Sequence, residues 1–245
     1  MSPVDTDIQQ HKRMLAKAVR MLERIQLLDM NGHVSFRIPG TDCFIINSRK
    51  ASRASITVED VAICNLDGIP LSSSIEPPSE VHIHSKIYQK RKNVGSIIHG
   101  HPHYQTVLGI ADVELKPVFG IGAFVEAGPL FENASLVNTP QLGEELAEVL
   151  GNRDYVQLRN HGNVVIGEDI PTAFARAVYL EENAKKQYYA SLLGKPLKVI
   201  EGENLLMTKQ TSWSTSIVQK VWRYYEEKAE KEGTLLNLES KAVVS

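Results

Sequence analysis

The stretch Ile97-Ile98-His99-Gly100-His101 places two histidines two residues apart, directly after an apolar, β-prone run. Side chains at positions i and i+2 of a strand point to the same face of the sheet, so both imidazoles can reach one ion. For an isolated pair of this kind, unrelated surface or core histidines are an equally good interpretation. Candidate ligands elsewhere in the chain therefore decide whether the pair marks a metal site.

Two further residues complete a candidate ligand set. His161 lies in Leu158-Arg159-Asn160-His161-Gly162, directly after the strand-like segment Tyr155–Leu158, and Glu80 lies in the first turn of a predicted helix that follows Pro78. Three imidazoles and one carboxylate bind a divalent ion and leave positions open for water or substrate. The sequence therefore predicts a catalytic metal site formed by these four residues.

Composition indicates an ordinary globular protein. The chain has 245 residues, 42% apolar and 23% charged, which is enough for one domain with a substantial core. Its net charge of -2 provides no basic field for nucleic acid or an anionic membrane. Cys43 and Cys64 lie in apolar runs, which favours free thiols in a reducing compartment. With no transmembrane stretch and no secretory h-region, we expect a cytoplasmic protein that binds neither nucleic acid nor membrane.

Hydrophobic periodicity and turn signals predict the order of helices and strands. We expect strands over 33–38, 43–47, 61–66, 95–99, 155–158 and 164–167, and helices over 7–29, after 78, through 105–108, and over 140–150, 171–193 and 214–231. Several adjacent strands are joined by short loops. This favours a single three-layer αβα domain with a largely antiparallel, mixed central sheet over residues 1–245. Its core is expected over about 7–195 and a mobile tail over 233–245.

Four stretches give the chain a resemblance to the class II aldolase/adducin family. In chain order they are Gly32-His33-Val34-Ser35-Phe36-Arg37, Ser79-Glu80, His99-Gly100-His101 and Asn160-His161-Gly162 before a long helix. The resemblance implies the fold of fuculose- and ribulose-phosphate aldolases, with one divalent ion per subunit held by the three histidines. Glu80 would be the acid/base carboxylate and a ligand when substrate is absent. The resemblance also implies a ring-shaped homotetramer with active sites between subunits.

The identity of the ion stays open, because imidazole ligands suit Zn²⁺, Mn²⁺ and Co²⁺ alike. No organic cofactor is expected.

Departures from the family pattern bear on the substrate. Phosphate-handling members carry Gly-Asn, Thr-Gly and Ser-Ser where this chain has Gly32-His33, Asn47-Ser48-Arg49-Lys50 and Pro78-Ser79. Backbone N–H groups approached through glycine hold phosphate, and proline removes a donor. We therefore expect a compact, unphosphorylated carboxylate. Gly-His at this place resembles the branch of the family that contains decarboxylases of hydroxylated aromatic or heteroaromatic acids and aldolase-like enzymes that act on unphosphorylated substrates.

Aldol cleavage and decarboxylation share one requirement, because both leave an electron pair on carbon that an adjacent oxygen must take up as an enolate. A divalent ion can act there as a Lewis acid. Glu80 is the predicted proton donor, with a pKa raised by a dry pocket. His33, the second predicted catalytic residue, or Arg49 could hold the substrate carboxylate. Further predicted substrate-binding residues are Ser48, Ser79 and His103.

Plainer interpretations exist for several of these residues. Glu80 alone could be an acid favoured by the helix dipole. Arg49, Lys50 and Arg53 are more typical of a solvated loop, and His84 is either a partner of Glu80 or a core residue.

Three functions remain open. A decarboxylase is preferred over a retro-aldolase acting on an unphosphorylated hydroxy-keto acid or a sugar phosphate. A non-catalytic adducin-like scaffold is disfavoured, because all three histidines and Glu80 are present.

Overall fold

A seven-stranded mixed sheet lies at the centre of the part of the chain that the computed structural model describes, residues 3–123 and 128–240. The strands are β1 His33–Arg37, β2 Cys43–Asn47, β3 Val61–Asn65, β4 Ser96–Gly100, β5 Leu130–Phe131, β6 Tyr155–Leu158 and β7 Gly162–Gly167. Their order is β3-β2-β1-β4-β7-β6-β5, and each neighbouring pair is antiparallel except β5 with β6. The prediction of a largely antiparallel, mixed sheet is confirmed.

The helices are α1 Pro3–Arg24, α2 Val81–Lys90, α3 His103–Ile110, α4 Pro140–Leu150, α5 Ile170–Ser191, α6 Gly202–Ser212 and α7 Thr215–Lys231. Side-chain caps explain several starts. Thr139 accepts a hydrogen bond from the Leu142 amide before α4, and Asp169 accepts one from the Thr172 amide before α5. A proline in the first turn of both helices reinforces these starts.

Two separate hydrophobic cores cover the two faces of the sheet, which gives the fold three layers. Ile98 of β4 packs in the core formed with α1 and α5, whereas its neighbour Ile97 packs in the core formed with α2 and α4. Val165 and Val164 of β7 divide in the same way. This alternation follows from the two-residue period of a strand. Alternate residues of β1 and β4 consequently face α2, and these include His33 and His99.

Some elements differ from the prediction. Helix α6 was not predicted, because it has no buried residue and hence no apolar stripe. Strand β5 has only two residues and pairs in parallel with β6, so it carries no alternating pattern. Helix α1 ends at Arg24 rather than near residue 29, and Gln26 has a φ of 62°, which is incompatible with a continuing helix.

The C-terminal segment also differs from the mobile tail that was expected. Arg20 donates hydrogen bonds to the carbonyls of Thr234 and Leu236, and the Val58 amide donates to the carbonyl of Leu238, which is buried. Residues 233–240 therefore pack against the domain, and residues 241–245 lie outside the described residues. Among the described helices, none is both long enough and apolar enough to cross a bilayer.

Candidate metal centre and its cavity

Four segments that are distant in sequence meet at one end of the sheet, on the face covered by α2. His33 of β1 lies directly opposite His99 of β4 in the antiparallel register, and His101 follows β4. His161 lies in the turn between β6 and β7, and Glu80 immediately precedes α2. The ring centroids of His99, His101 and His161 are 5.0–5.1 Å apart. The three histidines predicted as ligands are thus brought together.

The turn that carries His161 has tight backbone requirements. Asn160 has a φ of 53°, a left-handed conformation that asparagine tolerates better than most residues. A Cβ atom at Gly162 would lie 2.2 Å from the carbonyl oxygen of Gly100. Glycine therefore allows β7 to start directly against the end of β4, and this contact holds His161 beside His101.

The orientation of the rings leaves nitrogen lone pairs available for a cation. Nδ1 of His99 is 2.9 Å from the Asn163 carbonyl oxygen, and Nδ1 of His101 is 3.2 Å from Oδ2 of Asp29. With the proton on Nδ1, the lone pair of each ring is on Nε2. Nε2 of His99, Nε2 of His101 and Nδ1 of His161 are buried and lack a hydrogen-bond partner among the described residues.

These three imidazoles fit a divalent cation. One ring nitrogen from each lies within 4.8 Å of the others. Leaving buried acceptors unpaired is unfavourable by about 1–3 kcal/mol each, and a bound ion would remove that penalty. A second group, His33, Glu80 and His99, meets the same distance criterion.

Glu80 faces the imidazoles. Its Oε2 lies 3.5 Å from Nε2 of His99 and 3.8 Å from Nε2 of His33, and its Oε1 lies 4.0 Å from Nε2 of His161. Oε1 also accepts a hydrogen bond of 3.0 Å from the amide of Val137. Glu80 occupies the N-cap position of α2 but makes no side-chain capping bond there. Its side chain is therefore directed to the site rather than to the helix terminus.

The charge states suit cation binding. Burial lowers the pKa of His33 to about 3 and that of His161 to about 4, and it also lowers the pKa of His101. These rings are neutral near pH 7, as a ligand imidazole must be. Burial raises the pKa of Glu80, but the facing imidazoles of His33 and His99 outweigh burial and hold it well below its usual range. The prediction of a raised Glu80 pKa is wrong for this reason.

A cavity of about 540 Å³ opens above these residues. Among the predicted site residues, its wall includes His33, Arg49, Ser79, Glu80, His101 and His161. Ser48, His103 and the fully buried His99 are not part of this wall. The Ser48 hydroxyl accepts a hydrogen bond of 3.2 Å from the Ala51 amide, and His103 is exposed at the start of α3. Arg49 lies at the surface with its Nη1 3.2 Å from Glu76 Oε1.

Arg53 is a cavity residue that was interpreted as part of a solvated loop. It is buried, and its guanidinium donates to the carbonyls of Gly32 and Ser48 at 3.0 and 3.1 Å. It thereby ties the start of β1 to the loop after β2. Asp29, the partner of His101, was also not predicted. The contact of Arg53 with Gly32 and that of His101 with Asp29 join segments about twenty or more residues apart, so no local sequence pattern predicts them.

Behind His33, a chain of buried polar side chains runs along α2. Nδ1 of His33 lies 2.6 Å from Nε2 of His84, and Nδ1 of His84 lies 2.6 Å from Oγ of Ser35. Oγ of Ser35 in turn lies 2.7 Å from the hydroxyl of Tyr88. Of the two interpretations of His84, the core residue is correct, and its hydrogen-bond partners are His33 and Ser35.

The chain is similar in sequence to several known proteins. The family described as Class II Aldolase and Adducin N-terminal domain matches residues 13–188. A 3,4-dihydroxyphthalate decarboxylase of Rhodococcus jostii is 26% identical over 196 residues, 74% of this chain and 80% of that protein. An L-fuculose phosphate aldolase of Methanococcus maripaludis is 30% identical over 173 residues, 70% of this chain and 93% of that protein.

The fold has close counterparts among solved structures. An aldolase II superfamily protein from Pseudomonas syringae superposes with a TM-score of 0.83 at 22% identity, and the match covers 96% of each chain. At this identity the likeness supports the fold alone.

Proposed function

Because the chain belongs to the class II aldolase and adducin family, we propose that it is a metal-dependent carbon–carbon lyase. The preferred reaction is decarboxylation of a hydroxylated aromatic or heteroaromatic carboxylic acid. The observation that supports this most strongly is the cluster of His99, His101 and His161 beside a cavity, with the Glu80 carboxylate 3.5 Å from Nε2 of His99 and 4.0 Å from Nε2 of His161. His99, His101 and His161 would hold the divalent ion, which when bound supplies a Lewis acid for an oxygen of the substrate.

The residues of this chain supply the proton transfers. Glu80 is positioned to take the proton of a substrate hydroxyl and to return it to the ring carbon that carries the carboxylate. The bond between that carbon and the carboxylate then breaks, and CO₂ leaves. The electron pair of this bond moves into the ring, which becomes aromatic again with the negative charge on the substrate oxygen. A proton from water restores the hydroxyl group. His33, opposite Glu80, orients the reacting group as a hydrogen-bond partner.

The cavity suits a compact carboxylate better than a phosphate. Arg53 in the wall contributes positive charge although its guanidinium donates to backbone carbonyls, and Arg49 at the mouth shares its charge with Glu76. The loop after β2, however, uses its backbone donors internally. The Ser48 amide donates to the Asp60 carbonyl at 2.8 Å and the Arg49 amide to the Glu76 carbonyl at 2.9 Å. Amides engaged in this way cannot cradle a phosphate. Ser79, exposed at the mouth, is a candidate hydroxyl contact for the substrate.

Association of several copies, as a homotetramer, and a cytoplasmic location are part of the same proposal. Leu192 and Leu193 at the end of α5 are 65% and 76% exposed, and a neighbouring copy would cover them. Cys43 and Cys64 are both free thiols, which suits a reducing compartment.

A retro-aldolase is the second candidate. The observation that favours it is the 30% identity to an L-fuculose phosphate aldolase over 93% of that protein. The same ligand set and the same acid/base carboxylate serve both reactions, so the substrate decides between them.

The two reactions give different products. We would load the protein with Zn²⁺ or Mn²⁺ and incubate it separately with carboxyl-labelled hydroxyaromatic acids, including 3,4-dihydroxyphthalate, and with L-fuculose 1-phosphate. The proposal expects saturable release of labelled CO₂ that depends on the metal and is lost with Glu80→Gln. Saturable aldehyde release from the sugar phosphate, with no CO₂ from any acid, would contradict it and favour the aldolase.

A further inference from the structure

The chain of polar groups behind His33 is fully enclosed in the protein. His84 and Ser35 are 0% exposed and Tyr88 is 1% exposed, so water does not satisfy their polar atoms. Each group meets its hydrogen-bonding needs through the next one. Only the Nε2 atom of His33, at the end of the chain, faces Glu80 and the cavity.

We propose that His84 is a positioning residue that fixes His33 in the tautomer with its proton on Nε2. His33 then presents a hydrogen-bond donor, not a metal-binding lone pair, to Glu80 and to the substrate. The part of this inference that concerns catalysis rests on the proposed function, whereas the tautomer itself does not.

The direction of the hydrogen bonds follows from counting protons. Tyr88, Ser35, neutral His84 and neutral His33 carry one mobile polar hydrogen each. These four hydrogens are shared among five contacts in a row. The row starts at the Gly95 carbonyl, 3.3 Å from the Tyr88 hydroxyl, passes through Ser35, His84 and His33, and ends at the Glu80 carboxylate. All four therefore point either toward Gly95 or toward Glu80, because each short contact holds one hydrogen.

The two ends of the series are not equivalent. The Gly95 carbonyl already accepts a hydrogen bond of 2.8 Å from the Arg37 amide, which is shorter than its 3.3 Å contact with the Tyr88 hydroxyl. The contact between His33 and Glu80 is longer, at 3.8 Å, but its acceptor is a charged carboxylate. At the other end, a lone pair on Nε2 of His33 would face the Glu80 carboxylate and be repelled, whereas an N–H there is attracted. The favoured direction is thus Tyr88 to Ser35, Ser35 to Nδ1 of His84, and Nε2 of His84 to Nδ1 of His33.

This direction separates the two groups that, among the residues the structure describes, lie close enough to hold an ion. In the group of His33, Glu80 and His99, His33 would have a proton on the nitrogen that faces the site. The group of His99, His101 and His161 has no such obstacle. His84 consequently keeps His33 from coordinating the ion, so that His33 donates a hydrogen bond and His99, His101 and His161 bind the metal.

The first test measures the tautomer in the native protein. In a Zn²⁺-loaded sample labelled with ¹⁵N at histidine, long-range ¹H–¹⁵N correlation distinguishes protonated from unprotonated ring nitrogens. The proposal expects His33 and His84 both to be protonated on Nε2. A proton on Nδ1 of His33 would overturn it, whatever reaction the protein catalyses.

Variants of His84 test the coupling. His84→Leu removes the donor to Nδ1 of His33 and is expected to move the His33 proton partly or wholly to Nδ1, while Zn²⁺ content stays at the native level. His84→Gln places an amide N–H near the lost Nε2–H and is expected to restore the native tautomer. The matched control is His82→Leu on the same helix, whose ring takes no part in the series. An unchanged His33 tautomer in folded His84→Leu would refute the coupling.

Ser35→Ala provides a second route if His84→Leu does not fold, because it keeps both imidazoles and removes only the hydroxyl donor to His84. The His33 tautomer is again expected to shift, and an unchanged tautomer would again refute the coupling. Where CO₂ release is measurable, His84→Leu should lower kcat by about 10- to 100-fold, as is typical for loss of a supporting hydrogen bond, with partial rescue by His84→Gln. Absence of CO₂ release from the native protein would contradict the proposed function and leave the tautomer result intact.

Discussion

At the level of single residues, Glu80 is the proposed proton-transfer group. Glu80→Gln preserves an acceptor for the Val137 amide and nearly the same volume, so the fold and the three imidazoles should be retained. Loss of the proton-transfer group should lower kcat by about 10²–10⁴-fold. The measurements are steady-state turnover and metal content, with exposed Glu145→Gln on α4 as the control. Near-native turnover would assign the proton transfer to another group.

The thiol of Cys64 gives an independent check on burial. It is completely buried, and burial together with the neighbouring Cys43 raises its pKa to about 12. The thiol is therefore protonated at pH 8 and should resist iodoacetamide in the native protein, because the thiolate is the reactive form. Peptide mapping should find Cys64 alkylated only after unfolding. Rapid modification under native conditions would show that β3 is less protected than described.

At the level of elements, the junction between β4 and β7 decides where His161 lies. Gly162→Ala would bring a Cβ to 2.2 Å from the Gly100 carbonyl oxygen, so the strand start must shift. We expect the free energy of unfolding to fall by about 1–3 kcal/mol, a typical cost of overpacking, and the affinity for Zn²⁺ to fall with it. Gly120→Ala is the control, since its nearest neighbour would be 4.0 Å away. Native Zn²⁺ affinity in Gly162→Ala would contradict this role for the turn.

The elements that the sequence predicted well are those with strong local signals. Helix α4 has a threonine cap and a proline in its first turn, and its predicted bounds agree with the structure. Strand β2 has a regular β-prone run between turns. Helix α6 and β5 lack such signals, because one has no buried face and the other is two residues long.

The residues of the candidate site also fall into those that local sequence patterns predict and those that they do not. His99, His101 and His161 were predictable, since strand periodicity and the ends of strands place them. Arg53 and His84 were not identified as supporting residues, because their partners lie 21 and 51 residues away in sequence. Only the folded chain brings these partners together, and the lowered pKa of Glu80 depends on the same convergence.

At the level of the whole molecule, Arg20 links the C-terminal segment to the domain. It is 4% exposed and donates to the carbonyls of Ile56 and Thr234 at 2.7 and 3.0 Å. Arg20→Met would leave buried carbonyls without donors, which should lower the free energy of unfolding by about 1–3 kcal/mol. Urea unfolding measures this change, and proteolysis near residues 233–240 should become faster.

The matched control is Arg13→Met, whose ion pair with Glu239 joins two half-exposed side chains. An exposed pair of this kind contributes about 0–1 kcal/mol. Equal effects of the two variants would mean that the C-terminal segment does not depend on Arg20.

Calorimetric titration of the metal-free protein with Zn²⁺ measures whether His99, His101 and His161 bind one divalent ion per chain. We expect one site per chain in the native protein and in His103→Ala, which changes an exposed histidine outside the cavity wall. In His99→Ala the affinity for Zn²⁺ should fall on the order of 100-fold or more, because loss of a ligand should cost at least as much as loss of a supporting contact. Full Zn²⁺ binding by His99→Ala with native affinity would rule out this ligand set.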